Sequence, residues 1–222
     1  ARDDEYETIY SATYSRDGNP TYDQLETVLA ALDGGAGARV FGSGMAAITT
    51  FLQTVPAGAH IAAPRIMYHG AQDWLRRLVT ERGMDLTLFD AADPTALAQA
   101  VRSGKTALVW IESPVNPTWD VIDVAAAANV AHAAGAILAV DATVATPVFL
   151  RPLELGADMV FHSATKYLNG HSDVLAGVLI SAADDARWAE IGRLRALMGG
   201  ILGPFEAWLL LRGIRTLHLR VE

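Results

Sequence analysis

The sequence predicts an α/β fold in which a mostly parallel β-sheet is sandwiched by helices. Short, apolar, β-rich runs alternate with helical stretches along the chain, an order typical of a parallel sheet covered on both faces. The runs are almost continuously apolar, so both faces of the sheet should be buried. With 222 residues, 51% of them hydrophobic, the chain is long enough to bury a large core.

The elements alternate in chain order, and punctuation residues support several boundaries. Gly83 and Gly135 mark helix ends, and the pair Asp93-Pro94 marks a helix start. The predicted strands cover residues 40–41, 60–63, 85–89, 107–112, 137–141, 159–162 and 177–180. The predicted helices cover residues 21–32, 44–53, 71–82, 94–101, 123–134, 184–197 and 205–211.

Composition excludes several classes of protein. A net charge of −8 argues against nucleic acid or an anionic membrane as partner, because either needs a basic face. The absence of cysteine excludes disulfides and thiolate chemistry and fits a cytoplasmic location. The apolar stretch 121–139 is interrupted by Asp123, Asn129 and His132, so it predicts a buried helix and strand rather than a membrane span.

A phosphate site is predicted where the second helix begins. In an open α/β sheet, ligands bind beyond the carboxyl ends of the strands. There Gly44 and Met45 open a helix, whose free N–H groups and positive dipole end attract anions. The hydroxyls of Ser163 and Thr165 could reach the same phosphate. An ordinary turn at Gly44 and solvated hydroxyls remain alternatives.

Lys166 and Asp141 carry the strongest chemical signal. The chain has two lysines against fifteen arginines, and Lys166 lies among small hydroxyl residues, which indicates that an amine able to form a Schiff base is needed there. Asp141 ends an apolar strand, and its buried carboxylate would be satisfied by a cationic pyridine nitrogen. The alternative for Asp141 is a cap of the following turn. One βα-like step separates the two residues, which places them at the ends of neighbouring strands.

Two further side chains follow predicted strands. The ring of Tyr68 could stack on a flat heterocycle, and Asn116, in a proline-framed loop, could bind a ring hydroxyl. Ordinary packing for Tyr68 and a turn role for Asn116 are the alternatives.

Other cofactor chemistries lack their motifs. The six histidines show no zinc-binding spacing, and no serine-hydrolase elbow or Walker-type loop is present. A nicotinamide-dependent oxidoreductase is also disfavoured, because the turn Gly42-Ser43-Gly44-Met45-Ala46-Ala47 ends in alanine and has no convincing acidic partner downstream.

Taken together, the ordered motifs resemble the Cys/Met-metabolism family of pyridoxal-phosphate (PLP) enzymes, which includes cystathionine γ-synthase and the cystathionine lyases. The resemblance extends from about Tyr14 to the end of the chain. The motifs that carry it are Tyr14-Ser15-Arg16-x-Gly18-Asn19-Pro20-Thr21, the segment 26–37, Gly44-Met45-Ala46-Ala47, Glu112-Ser113-Pro114-x-Asn116-Pro117, residues 163–173 and residues 211–217.

The resemblance implies a role for each candidate residue. Lys166 would hold PLP as a Schiff base and Asp141 would keep the pyridine nitrogen protonated. Tyr68 would stack on the ring and act in proton transfer, and Asn116 would contact the ring hydroxyl. The phosphate would be bound by Gly44, Met45, Ser163 and Thr165, with Thr143 among the cofactor-binding residues. Tyr14 and Arg16 would reach the phosphate of a neighbouring subunit, which implies a homodimer or homotetramer.

The resemblance also implies a domain organisation. The expected fold is the large domain of a fold type I PLP-dependent transferase, covering residues 17–212. Residues 1–16 are expected to be part of an N-terminal arm, and residues 213–222 to begin a truncated connecting helix. The smaller C-terminal domain, which usually grips the substrate carboxylate, is expected to be absent from this chain.

The implied activity is trans-sulfuration on small amino-acid substrates. The chain would act on sulfur amino acids or O-acylhomoserine by γ-replacement or γ- or β-elimination, as cystathionine γ-synthase or γ-lyase. The alternative is a catalytically silent PLP-binding fragment or assembly module. Two residues depart from the family pattern: Ala142 replaces a common asparagine, and Gly70 stands where the methionine γ-lyase branch commonly has cysteine.

Overall fold

The structure is a computed structural model and describes residues 14–222. These residues form a seven-stranded, mostly parallel sheet. The predicted fold class is confirmed. The strands are β1 (Gly37–Phe41), β2 (His60–Pro64), β3 (Asp85–Phe89), β4 (Thr106–Glu112), β5 (Ile137–Asp141), β6 (Met159–His162) and β7 (Gly177–Ser181).

The strand order brings three strand ends to one place. The order is β1-β7-β6-β5-β4-β2-β3, and β7 runs antiparallel to both of its neighbours. In the parallel centre, Glu112 of β4 is level with Asp141 of β5, and Asp141 is level with Phe161 of β6. The loops after these strands therefore leave the sheet side by side, and the predicted adjacency of Asp141 and the Lys166 turn is confirmed.

Helices cover both faces of this sheet. They are α1 (Pro20–Asp33), α2 (Gly44–Gln53), α3 (His69–Arg82), α4 (Ala96–Ala100), α5 (Val124–Ala133), α6 (Thr146–Phe149), α7 (Ala186–Met198), α8 (Pro204–Ile214) and α9 (Leu217–Val221), with a 3-10 turn at Pro152–Leu155. One core cluster joins the sheet to α2, α3 and α7. Two clusters join the opposite face to α1, α4, α5 and α8.

Side-chain alternation along the strands produces this two-sided core. Trp110 of β4 packs on the α2 and α3 side, whereas its neighbours Val109 and Ile111 pack on the α4 and α5 side. All three are at most 1% exposed. Successive side chains of a strand point to opposite faces, so a strand buried on both sides must be apolar at every position, as the sequence indicated.

Some boundaries differ from the sequence predictions for local reasons. Strand β1 begins at Gly37 rather than at residue 40, because it pairs with β7 over its whole length. Helix α4 begins at Ala96 rather than at residue 94. The Asp93 carboxylate there accepts hydrogen bonds from the amide and the hydroxyl of Thr95, at 2.8 Å each, which closes a turn before the helix starts.

The apolar stretch 121–139 contributes α5 and most of β5, as predicted. Among the helices of residues 14–222, none is both long and apolar enough to cross a bilayer.

Candidate functional site

The start of α2 provides hydrogen-bond donors for an anion. Ser43 caps the helix, and its Oγ accepts the amide of Ala46 at 3.0 Å. The amides of Gly44 and Met45, in the first turn, have no intrahelical partner. A Cβ added at Gly44 would lie 3.3 Å from the Oγ of Ser163, so this hydroxyl lies beside the same helix start. Amides without an intrahelical partner, a helix dipole and a hydroxyl together favour a phosphate.

The turns after β5 and β6 are connected to each other through Thr143. The amide of Ser163 donates to Thr143 Oγ1 at 2.7 Å, and the amide of Thr143 donates to Asp141 Oδ1 at 3.0 Å. Asp141 is thus linked to the anion site by two short steps. The bond from Thr143 also shows that Asp141 caps the following turn, the alternative considered from sequence. Capping and binding a cation are compatible, because a carboxylate has several acceptor positions.

Thr165 is engaged elsewhere. Its hydroxyl donates to the carbonyl of Ala176 at 3.1 Å and accepts the Ala176 amide at 3.0 Å. The side chain therefore ties the lysine turn to the segment that leads into β7. The phosphate-binding role of Thr165 remains a prediction. To donate to a phosphate, its hydroxyl would have to give up the hydrogen bond to the Ala176 carbonyl.

Asp141 is an electrostatically unsatisfied carboxylate. It is 5% exposed, and burial raises its pKa to about 6, although hydrogen bonds from Thr143 and the charge of His162 act in the opposite direction. Behind it, the buried pair His162–Asp33 joins Nε2 to Oδ2 at 3.0 Å. A raised carboxyl pKa means that the protein does not fully compensate the charge, so a cationic ligand would bind favourably here.

Lys166 lies in the turn that follows β6. Its amide donates to the Ser163 carbonyl at 3.0 Å, and its carbonyl accepts the amide of Gly170 at 2.8 Å. The backbone is thus held on both sides, while the side chain is exposed. No carboxylate of residues 14–222 forms an ion pair with it, which leaves the amine available to a ligand.

Glu112 connects the two remaining candidates and was not among the residues predicted from the sequence. Its Oε2 accepts the amide of Tyr68 at 2.7 Å, and its Oε1 accepts the amide of Asn116 at 2.9 Å. Glu112 is 4% exposed. The same signal that selected Asp141, a carboxylate ending an apolar strand, would have selected Glu112.

The Glu112 carboxylate also interacts with Asp141. Burial raises the pKa of Glu112 to about 7, and the neighbouring Asp141 charge adds to this effect, while the two amide hydrogen bonds oppose it. Two buried carboxyl groups at the ends of adjacent strands therefore disfavour each other's ionisation. This arrangement again favours a ligand with positive charge.

Met45, Tyr68 and Gly70 meet on the side of the site formed by α2 and α3. A Cβ added at Gly70 would lie 2.8 Å from a ring carbon of Tyr68 and 3.0 Å from Met45 Sδ. Any side chain at position 70 would therefore require the Tyr68 ring to move. Tyr68 is half-buried and also contacts the ring of His69, with centroids 4.8 Å apart, so the packing role considered from sequence is present as well.

These contacts place most of the predicted residues in one connected group. Glu112 binds the amides of Tyr68 and Asn116 and is level with Asp141 on the adjacent strand. From Asp141, hydrogen bonds lead through Thr143 to Ser163, which lies beside Gly44. Met45 and Tyr68 both lie next to Gly70.

Tyr14 and Arg16 lie apart from this connected group. Arg16 Nη1 donates to the Ala196 carbonyl at 2.7 Å, and its guanidinium lies over the Tyr14 ring. The rest of the predicted arm, residues 1–13, lies outside the described residues.

A metal is not indicated by the side chains that the structure describes, since residues 14–222 contain no group of three or more metal-ligating residues.

The fold and the donors define a class of protein. The groups lie beyond the carboxyl ends of the strands of an α/β sheet, where such folds bind ligands. They are a helix start and a hydroxyl suited to an anion, a buried carboxylate suited to a ring cation, and a free amine. This set fits an aromatic cofactor that carries a phosphate, a cationic ring and an aldehyde. PLP has these properties.

Comparison with known proteins identifies the family. Residues 3–222 match the family model described as Cys/Met metabolism PLP-dependent enzyme, and the chain belongs to this family. The family's cofactor is PLP, as the resemblance implied.

The relatives differ in activity. The chain is 41% identical to a probable cystathionine gamma-synthase of Herpetosiphon aurantiacus, over 94% of this chain and 65% of that protein. It is 42% identical to a chloroplastic cystathionine beta-lyase of Arabidopsis thaliana, over 94% of this chain and 45% of that protein. A crystal structure of a cystathionine gamma-lyase from Lactobacillus plantarum, complexed with L-serine, superposes with a TM-score of 0.89 at 37% identity, covering 96% of this chain and 57% of that one. The chain thus spans about half to two thirds of the length of these proteins.

Proposed function

We propose that this protein is a PLP-dependent trans-sulfuration enzyme, acting on sulfur amino acids or O-acylhomoserine by γ-replacement or by γ- or β-elimination. The observation that carries the proposal is that the buried Asp141 carboxylate and the turn bearing the exposed Lys166 amine follow adjacent strands, β5 and β6. The relatives support this reaction class, since they include a γ-synthase, a γ-lyase and a β-lyase.

Each residue of the site would have a definite task in holding the cofactor. Asp141 would bind the pyridine nitrogen, Lys166 would supply the amine that attaches the aldehyde, and Asn116 would contact the ring hydroxyl. Tyr68 would stack on the ring. Gly44, Met45, Ser163 and Thr165 would bind the phosphate, with Thr143 orienting Asp141 and Ser163. When bound, PLP supplies an electron-withdrawing ring that stabilises negative charge on the substrate's α-carbon.

The protein's own contribution to the reaction is mainly proton transfer. The Lys166 amine, when unprotonated and not bound to the cofactor, would accept the α-proton of the substrate and return protons at neighbouring carbons. Tyr68, held by the Glu112 carboxylate at its backbone, would be the second proton-transfer group. The negative charge of Asp141 would keep the ring nitrogen protonated, because a buried carboxylate favours a cation at its side.

Assembly into at least a homodimer is part of this proposal. The α7–α8 corner, defined here as Leu197, Met198, Phe205 and Trp208, consists of apolar side chains that are each more than half exposed. An exposed apolar cluster of this kind favours burial against another protein surface. Tyr14 and Arg16, which lie apart from the connected site, would then act at the site of a neighbouring subunit.

Cofactor attachment tests the proposal first. The purified protein mixed with PLP should develop a visible absorption band, and borohydride should remove that band while adding the mass of reduced PLP to the peptide containing Lys166. Lys166→Ala should prevent both changes, whereas Lys105→Ala, which removes the other lysine, should prevent neither. A colourless wild-type protein in excess PLP would refute the assignment of Lys166.

Product analysis on the complete protein then decides between the reactions. The substrates are cystathionine, methionine, and an O-acylhomoserine with cysteine. Ammonia and a 2-oxo acid would indicate a lyase, and newly formed cystathionine would indicate the γ-synthase. If PLP binds but no amino acid changes its spectrum, the protein is a cofactor-binding module without this activity.

A further inference from the structure

Glu112 lies at the centre of the connected site, and none of the proposed cofactor contacts is assigned to it. Its two oxygens accept separate amides, from Tyr68 at 2.7 Å and from Asn116 at 2.9 Å. These amides belong to loops that follow two different strands, β2 and β4, which are neighbours in the sheet. One side chain thus joins the two loops that carry the residues proposed to contact the cofactor ring.

The chemistry of the contact requires a carboxylate at this position. Both partners are N–H donors, so the side chain between them must accept at both ends. A glutamine of the same shape would accept at one end and present its own N–H₂ to the other amide. That would leave one buried donor unpaired, which is more costly than the loss of an average hydrogen bond.

The helix that follows Tyr68 has a special need for this acceptor. Tyr68 is the residue before α3, and α3 has no side-chain cap hydrogen bond of its own. Glu112 therefore supplies both an acceptor and a negative charge at the start of a helix of 14 residues, where the helix dipole favours an anion. Removal of the contact would free the first turn of α3 and with it the Tyr68 ring.

A carboxylate kept for stability alone would not be expected at this position. Glu112 is 4% exposed and lies level with the buried Asp141 of the adjacent strand. Placing two acidic groups side by side in a buried position costs free energy. Such a loss of stability is expected where a residue holds the geometry of a functional site rather than packing in the core.

We propose that Glu112 is a positioning residue, whose carboxylate binds the backbones of Tyr68 and Asn116 and thereby sets the spacing between these two residues, both of which are proposed to contact the cofactor ring. The proposal rests on the proposed function for its ligand, PLP. The geometric part concerns this chain alone and can be tested without cofactor.

The chain offers a matched control in Glu26. This half-buried glutamate of α1 also accepts a backbone amide, that of Val40 at 2.8 Å, and pairs with Arg195 of α7. Val40 belongs to the edge strand β1, which is not adjacent to the strands that carry Tyr68 and Asn116. Glu26→Gln alters a glutamate that accepts a backbone amide away from the site, and it also weakens the pair with Arg195. Effects of Glu112→Gln that exceed those of Glu26→Gln therefore do not reflect general destabilisation.

The experiment compares wild type, Glu112→Gln, Glu112→Asp and Glu26→Gln. Amide hydrogen exchange of each cofactor-free protein is followed by NMR, and PLP affinity and the position of the visible band are measured by titration. We expect Glu112→Gln to speed exchange at Tyr68 or Asn116 by about tenfold or more and to weaken PLP binding by about tenfold, the equivalent of one buried hydrogen bond. The visible band should shift, because the ring contacts change.

The other variants complete the test. Glu112→Asp keeps two acceptors but is one methylene shorter, so it should reach one amide and release the other. Glu26→Gln should speed exchange at Val40 and leave PLP affinity and the band unchanged. The proposal is overturned if both Glu112 variants leave the Tyr68 and Asn116 amides as protected as in wild type, or if PLP binding weakens equally in Glu26→Gln. If the amides respond while wild type itself binds no PLP, the proposed function fails and the positioning role remains.

Discussion

At the scale of the residue, Asp141 illustrates a conflict between stability and function. Its carboxylate is 5% exposed, and burial raises its pKa to about 6. In the cofactor-free protein at pH 8 the Asp141 carboxylate is ionised, although its buried surroundings favour the neutral form. The charge becomes favourable when a pyridinium lies beside it.

We therefore predict that Asp141→Asn stabilises the cofactor-free protein and weakens PLP binding. Asparagine can still accept the Thr143 amide, so the free energy of unfolding at pH 8 should rise by roughly 1 to 3 kcal/mol, measured by urea denaturation. PLP affinity, measured by titration, should fall by about tenfold or more. Asp93→Asn is the control and should lower the free energy of unfolding, because hydrogen bonds from Thr95 stabilise the Asp93 anion and lower its pKa. A less stable Asp141→Asn protein would contradict the prediction.

The pH dependence of stability provides a second test at this scale. Burial raises the pKa of Glu112 from its ordinary 4.5 to about 7 in the folded protein, so the folded state binds a proton more tightly than the unfolded state. The Glu112 contribution to the free energy of unfolding should therefore fall as the pH rises from about 4.5 to about 7, by up to about 1.4 kcal/mol per pH unit.

Glu112→Gln lacks this titration. The difference in unfolding free energy between wild type and the variant, followed by urea denaturation from pH 4 to pH 8, should change in favour of the variant across that window and then level off. A difference that is constant with pH, or that changes in favour of wild type, would show that Glu112 is not disfavoured as an anion in the folded state.

At the scale of the element, the position of α2 depends on contact between its first turn and β7. A Cβ added at Gly177 would lie 2.3 Å from the carbonyl oxygen of Ser43 and 2.8 Å from the Cα of Gly44. Backbone atoms cannot give way as a flexible side chain can. Glycine at 177 thus allows the predicted phosphate-binding turn to lie directly on the sheet.

Gly177→Ala should consequently displace the start of α2. We expect a loss of roughly 1 to 3 kcal/mol in unfolding free energy, measured by urea denaturation, and weaker binding of both PLP and inorganic phosphate. Gly200→Ala is the matched control, since its added Cβ would meet Ala46 and Phe41 at 3.6 and 3.7 Å, ordinary contact distances. A Gly177→Ala protein as stable as Gly200→Ala would contradict this account.

At the scale of the whole molecule, the α7–α8 corner predicts self-association. Phe205 and Trp208 are 65% and 52% exposed and stack with centroids 6.0 Å apart. The double variant Phe205→Ser, Trp208→Ser should move the solution mass, measured by light scattering, from a dimer or tetramer towards a single chain. Val79→Ser, an exposed apolar position on α3, should leave the mass unchanged. A wild-type protein that is monomeric at all concentrations would refute the prediction.

Much of the fold could be predicted because the signals are local. Gly83 ends α3 with a left-handed backbone, φ +64°, a conformation that glycine adopts readily. The alternation along β4 follows from its unbroken apolar run. The predicted start of α4 was wrong, since the hydrogen bonds that Thr95 donates to the Asp93 carboxylate depend on a turn geometry that the proline signal alone does not reveal.

The site was predictable where a residue type is chemically unusual in its place. Lys166 among hydroxyl residues and Asp141 at the end of an apolar strand are such cases. Glu112 carried the same signal as Asp141, but its two partners belong to loops on neighbouring strands, so its task depends on the strand order. Likewise, the bond of Thr165 to Ala176 depends on how the lysine turn meets the segment before β7.

The sequence by itself determined the α/β class, the two-sided burial of the strands and the family to which the chain belongs, because periodicity and ordered motifs are properties of neighbouring residues. Only the tertiary structure decided which strand ends are neighbours and which partners the site side chains bind. It joined Glu112 to Tyr68 and Asn116 and placed Gly177 against Ser43. The reason is physical: hydrogen bonds and close contacts depend on distances across the sheet, and those distances are set by the packing of the whole chain.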